Sequence, residues 1–209
     1  FKLKIYQRSW GGGEMDPRGY IDQRRRTFIQ SAAIGLFAFS VSGCDAMMSP
    51  KEAHENGADF TRLSPPLVAI LDALGEALVP GATAAGLAHY IDANLARDPG
   101  ESLLMVRYLD VTTPQTQFYT AGLAALDAHC RTTTSKPFID QSEAAATAII
   151  ASLLKGNPPG WNSIADAPPA PLFYLAVRGD AVDIVYGTMA GFEALDIPYA
   201  GHIDPKSAY

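Results

Sequence analysis

The stretch Ser64-Pro65-Pro66-Leu67-Val68-Ala69-Ile70-Leu71-Asp72-Ala73-Leu74-Gly75-Glu76-Ala77-Leu78-Val79-Pro80-Gly81 decides the fold class. Serine followed by proline is a helix start, because the hydroxyl can cap free amides and proline at the first helical position needs no donor. Leu67, Ile70, Leu71, Leu74 and Leu78 then recur at helical spacing, and Val79-Pro80-Gly81 stops the run. Working outward, Thr83 reads as the cap of a second helix carrying Leu87, Tyr90, Ile91 and Leu95. A third is expected over 101–110, with Leu103, Leu104, Val106 and Tyr108. Thr113-Pro114 repeats the cap-and-proline device ahead of Phe118, Tyr119, Leu123 and Leu126. Asp140 with Glu143 has capping-box spacing and opens an alanine-rich helix ending near Lys155-Gly156. The segment 157–171 holds Pro158, Pro159, Pro168, Pro169 and Pro171 around Trp161, and reads as a loop, since repeated proline blocks helix and ladder alike. A helical pair is expected over 172–177 and 182–195, followed by an extended tail. No run alternates cleanly as a strand. The expected fold is all-α: a compact bundle of about six helices with an irregular Pro-rich loop and an extended C-terminal tail.

The chain has 209 residues, 48% hydrophobic and 18% charged, with 16 basic and 22 acidic side chains and a net charge of −6. That balance excludes disorder along the whole chain and argues against a nucleic-acid partner, which needs a basic face. Two cysteines exclude a disulfide scaffold or a four-thiolate zinc site. The charge is uneven. Up to Gly43 seven bases face three acids, and from Cys44 onward nine face nineteen. A basic head on an acidic body marks two regions with different roles.

The head has the layout of an export signal: Arg24-Arg25-Arg26, the apolar run Ala32-Ala33-Ile34-Gly35-Leu36-Phe37-Ala38-Phe39, then Val41-Ser42-Gly43-Cys44. The apolar core, 31–43, is short of the roughly 20 residues a membrane-spanning helix needs. Arg25, Arg26 and Phe28 resemble the twin-arginine signal, whose route carries folded cargo; Arg24 and Gln30 depart from its usual pattern. Val41-Ser42-Gly43-Cys44 resembles a bacterial lipobox, in which Cys44 would become the acylated first residue; the alternative is an unmodified thiol beside an ordinary cut. Met15 would begin a tidy basic segment, so residues 1–14 are expected not to be native. The domain reading is thus an export signal over 1–43, a tether over 44–60 and a helical domain over 61–209, placed in the periplasm and attached to the inner membrane.

The body carries no dinucleotide fingerprint, phosphate loop or nucleophile elbow. His54, His89, His129 and His202 are scattered. His129-Cys130 reads as a surface histidine beside a buried thiol, because adjacent helical residues face different ways. Asp180 with Asp183, and Glu193 with Asp196, read as solvated faces, although paired carboxylates can do acid–base work. No catalytic, cofactor-binding or metal residue is expected in this chain. Aromatic residues gather in the last third, and residues on proline-rich loops suit partner interfaces. Trp161, Tyr186, Pro198, Tyr199 and His202 are the expected partner contacts.

Two segments carry a family resemblance. Leu74-Gly75-Glu76-Ala77-Leu78-Val79-Pro80-Gly81-Ala82, followed by Ala85-Gly86-Leu87-Ala88-His89-Tyr90-Ile91-Asp92, resembles the opening of the gluconate 2-dehydrogenase subunit 3 family. Val185-Tyr186-Gly187-Thr188-Met189-Ala190-Gly191-Phe192, then Ile197-Pro198-Tyr199-Ala200-Gly201-His202-Ile203, resembles its close. The resemblance implies a small, non-catalytic subunit of an oxidoreductase complex that supports folding and twin-arginine export of a larger FAD-dependent subunit similar to glucose–methanol–choline oxidoreductases. A cytochrome c subunit with haem c often completes such complexes. Many relatives show Tyr-Gly-Gly-Asn where this chain has Tyr199-Ala200-Gly201-His202, which implies a partner substrate other than gluconate. The competing expectations are an independent helical metal protein of the periplasm and a lipid-anchored binding module.

Overall fold

The computed structural model describes residues 35–197. Its elements are strands β1 (Phe37–Val41) and β2 (Cys44–Met48) and helices α1 (Pro50–Glu55), α2 (Pro65–Leu78), α3 (Leu87–Leu95), α4 (Gln115–Thr134), α5 (Glu143–Leu153), α6 (Ala170–Tyr186) and α7 (Met189–Ala194). Single 3-10 turns lie at Met105–Tyr108, Phe138–Asp140 and Trp161–Ser163. The fold is mostly helical, as the periodicity indicates, with one small antiparallel hairpin added.

Helix α3 is the hub. Of its nine residues, Leu87, Ala88, His89, Tyr90, Ile91, Asp92, Asn94 and Leu95 are buried, and a helix covered on every side belongs in the middle of a domain. Helices α1, α2 and α6 and strand β1 pack around it. Helix α2 buries Ile70, Leu71 and Leu74 and also touches α4 and α6. A second aromatic layer joins α4 to α6 through Phe118, Phe173 and Trp161, with ring centroids 6.2 Å apart for Phe118–Phe173 and 5.8 Å for Trp161–Phe173. Gly122 makes that contact possible, since a Cβ there would run into the Phe173 ring.

Several boundaries differ from the sequence reading, each for a physical reason. Helix α3 starts after Gly86, at φ 84°, and not at Thr83. Thr83 instead donates its hydroxyl to the Asp72 carbonyl, while the Glu76 carboxylate accepts from the amides of Gly81 and Thr83. Gly86 also sits against the Pro50 carbonyl so closely that no side chain fits. The helix expected over 101–110 is a single turn, because side chains hold its backbone extended: Asn94 accepts from Leu103 N–H (2.9 Å) and Asp180 from Met105 N–H (2.7 Å). Ser142, not Asp140, caps α5, accepting from Ala145 N–H at 3.3 Å. The expected helical pair over 172–195 is one long helix, α6, followed by the short α7. Gly179 does not break α6, because the Met105 side chain fills the space its missing Cβ leaves.

The largest departure lies at 37–60. Residues 44–60, expected as a tether, carry β2 and α1, and Ala53 and Ala58 are buried. Ser49 and Glu52 form a full capping box, with Glu52 N–H donating to Ser49 Oγ (3.2 Å) and Ser49 N–H to Glu52 Oε2 (2.8 Å). Strand β1 buries Phe37 and Phe39 and turns Ala38 outward. This is the period-2 pattern of a half-covered strand, concealed in the sequence by the apolar residues that precede it.

Candidate functional site

The polar chemistry of the domain is concentrated on α3 and on the inner face of α6. Asp92, buried on α3, accepts four hydrogen bonds: from Thr61 N–H (2.8 Å) and hydroxyl (3.1 Å) at Oδ2, and from Arg62 N–H (2.8 Å) and Leu63 N–H (2.7 Å) at Oδ1. It therefore captures the chain just before α2 begins. Ser64 stands at the α2 N-cap position, as the sequence indicates, but its side chain makes no capping bond. Two residues further along α3, Asn94 holds Leu103, and Tyr90 donates its hydroxyl to the Leu103 carbonyl at 3.1 Å.

His89 lies beside this clamp. Its Nε2–H donates to the Ala58 carbonyl at 3.1 Å, its ring packs 4.3 Å from Phe60, and His54 and Phe39 meet it edge-on. Its Nδ1 is buried without a hydrogen-bond partner, and burial holds its pKa below the ordinary histidine value. Nearby on α2, burial lifts the Asp72 carboxyl to about 6, the His54 charge opposing and Glu76 adding to the rise. Between β1 and α3 a cleft of about 340 Å³ opens, with Phe39, Ser40, Asp59, Thr61 and Asp92 on its walls and Arg97 at 4.2 Å over the Phe37 ring. Asp92 is already committed to the 61–63 backbone, and Arg97 to the face of Phe37, so both groups act on the chain itself.

The inner face of α6 carries Asp180, which is fully buried and not, as expected, part of a solvated face with Asp183. It accepts from Met105 N–H and from the Tyr119 hydroxyl at 2.5 Å. The helical spacing of Asp180 and Asp183 is real; the solvated reading fails because α4 and the Met105–Tyr108 turn close over the Asp180 side. Burial raises its carboxyl to about 7, against the help of both donors. Because the folded value lies above the unfolded one of 3.8, this group's contribution to stability is complete below about pH 4 and is lost as pH rises through 7. Asp72 and Asp183, also raised by burial, act in the same sense, and His89 in the opposite one. Asp180→Asn keeps the shape and removes the titration. The expected result is that its stability advantage over the parent grows between pH 4 and pH 8, reaching about 2 kcal/mol. Urea unfolding of both proteins at each pH measures the difference, and a constant difference would refute the buried-acid account.

The remaining sequence-derived candidates separate into three groups. Trp161, expected on a partner surface, is completely buried: its indole N–H donates to the Pro168 carbonyl at 2.8 Å, and its ring packs on Phe173. The Pro-rich loop is thus folded onto its own core, with Asn157 accepting from Ala170 N–H at 2.8 Å to close it. Tyr186 is half-buried at the end of α6. His129 is buried as well, not on the surface: Nδ1–H donates to the Pro159 carbonyl (2.8 Å) and Ser152 Oγ lies 3.2 Å from Nε2. Burial pushes the neighbouring Cys130 thiol up to about 12, which leaves it neutral. Cys44 is exposed at the start of β2. Arg25, Arg26, Phe28, Pro198, Tyr199 and His202 lie outside the described residues.

Among the described residues, no three of His, Cys, Asp and Glu converge as a metal-binding set, and no helix is long and apolar enough to cross a membrane. Sequence reasoning missed Asp92 and Asp180 as organising groups. The available signal was a single carboxylate within a mostly apolar helical run (Leu87 to Leu95, which also holds His89 and Asn94, and Phe173 to Val182, which also holds Arg178), where a buried charge has to find donors from elsewhere in the chain.

No curated protein and no solved structure matches the chain. A family model does match, that of gluconate 2-dehydrogenase subunit 3, over residues 67–200. The matched segment runs from the first turn of α2 past the end of α7, and so takes in the α3 hub, the Asp180 bracket and the folded Pro-rich loop. With most of the helical domain inside the match, the chain belongs to the gluconate 2-dehydrogenase subunit 3 family, named for one subunit of a dehydrogenase complex.

Proposed function

We propose that this chain is the accessory small subunit of a periplasmic dehydrogenase, and that it supports folding and twin-arginine export of a larger FAD-dependent subunit of the glucose–methanol–choline type. The family match over 67–200 carries the reading. The arrangement of polar groups agrees with it, because Asp92, Asn94, Asp180 and Asn157 are spent on fastening this chain's own loops. In this proposal FAD and the oxidation of a sugar, sugar acid or alcohol belong to the partner, and a cytochrome c subunit takes the electrons onward. The docking segment is 195–202. Leu195 and Ile197 are each about half exposed just ahead of Pro198, Tyr199 and His202, and exposed apolar side chains suit burial against another protein.

The test is co-expression with a flavin oxidoreductase of that type that has no export signal of its own, sought among the genes next to this one. The expected outcome is an exported, yellow, active complex, and retention of both proteins in the cytoplasm when Arg25 and Arg26 are changed to Lys. Equal export and activity of the flavin subunit in the absence of this chain would overturn the proposal.

A further inference from the structure

The residues that resemble a lipobox, Val41-Ser42-Gly43-Cys44, are also the tip of the β1–β2 hairpin. Val41 pairs with Cys44 across a two-residue turn, with Ser42 at φ 53° and Gly43 at φ 81°. Two consecutive left-handed residues are what the tightest hairpin connection requires, and a small residue followed by glycine suits it. The same small residues that would admit a signal peptidase therefore have a second use as a turn.

Strand β1 is anchored on both edges and on one face. It pairs with β2 along its length, from Phe37–Met48 to Val41–Cys44, and on its other edge Asp59 N–H donates to the Ser40 carbonyl at 2.9 Å. Its buried face places Phe37 edge-on to Tyr90 (5.9 Å) and under Arg97, and Phe39 edge-on to His89 (5.8 Å). Phe37 and Phe39 are 1% and 6% exposed, so the α3 hub is completed by residues that the export reading assigns to the removable leader. A cut before Cys44 would strip β1 from the hub, uncover Tyr90 and His89, and leave β2 without its partner. The same two phenylalanines cannot lie in a bilayer and in this core at once.

We propose that β1 is a permanent part of the mature domain: any removal of the leader cuts N-terminal to Phe37, and Cys44 keeps a free thiol at the hairpin tip. The proposal is independent of the subunit reading, since it concerns where this chain is processed and not what it binds. It also gives the leader a limit, because only residues ahead of Phe37 are then available to serve as its apolar segment.

Intact-mass analysis of the protein purified from its own cells, in whichever fraction holds it, tests the proposal directly. The expected species begins at Phe37 or earlier and carries no acyl mass on Cys44. A species beginning after Phe37, or any lipid adduct at Cys44, overturns it. Two variants of the full chain supply independent readings. Cys44→Ser should leave the distribution between membrane and soluble fractions unchanged, and release from the membrane would count against the proposal. Phe37→Ser combined with Phe39→Ser should lower the melting midpoint by about 15 °C or prevent folding, as loss of two buried aromatics from a domain of this size implies. A midpoint within about 2 °C of the parent would show that β1 is dispensable and overturn the proposal.

Discussion

Asp92→Ala is expected to destabilise the domain by about 4 kcal/mol, one of the two largest single-residue effects in the molecule. The carboxylate is 3% exposed and serves three consecutive backbone amides, those of Thr61, Arg62 and Leu63. Alanine removes every acceptor at once. The three donors cannot all turn to water, because Leu63 is buried and its amide lies within the packed layer between α2 and α3. Each orphaned buried donor costs about 1–3 kcal/mol. Asp92→Asn keeps one acceptor oxygen and is expected to cost about half as much. Urea denaturation measures the totals, and amide exchange assigns them. In both variants, protection should fall first at 61–63, while the amides of α4, on the far side of α2, retain theirs until global unfolding. A loss below about 1 kcal/mol for the alanine variant would show that the clamp is no stronger than an exposed ion pair and remove Asp92 from its organising role.

Trp161→Ala carries the second large effect, a loss of about 4 kcal/mol. The indole is completely buried against Phe173, and its N–H satisfies the Pro168 carbonyl within the same loop. Truncation leaves a cavity of aromatic size and frees the loop that leads into α6 at Ala170. Trp161→Phe fills most of the space and is expected to cost about 2 kcal/mol, from the orphaned Pro168 carbonyl and the smaller ring. Because the side chain faces inward, neither change should weaken partner binding while the domain remains folded. Affinity measured well below the melting midpoint is expected to match the parent within a factor of about two, corresponding to roughly 0.4 kcal/mol. A tenfold loss of affinity in the still-folded Phe variant would restore Trp161 to the partner surface, where its place in a proline-rich loop had suggested it belonged.

These two residues show where sequence and structure part. The helical class was legible because burial at α2 and α4 follows a period that the chain displays openly: Ile70, Leu71 and Leu74 on one helix, and Phe118, Tyr119, Leu123 and Leu126 on the other, are buried as their spacing requires. Proline after Ser64 marked the start of α2 for a local reason, since proline restricts its own φ and needs no donor there, whereas Pro114 itself takes the cap position of α4 that the sequence reading gave to Thr113. Family membership was legible for the same reason, because short segments such as Val79-Pro80-Gly81-Ala82 are local strings.

Partnerships between distant residues were decided only by the tertiary structure. Asp180 and Asp183 have the same local pattern as any solvated pair, and only the arrival of Tyr119, 61 positions away, turns one of them into a buried acid. Trp161 in a proline-rich loop reads as available until Phe173 and the Pro168 carbonyl close on it. Phe37 and Phe39 have the composition of a leader, and only the cover of α3 and the pairing with β2 make them a strand. Backbone period and end-stops are set within a few residues and can be read along the chain. Burial of a particular side chain depends on what folds over it, and that information resides in contacts between segments far apart in sequence.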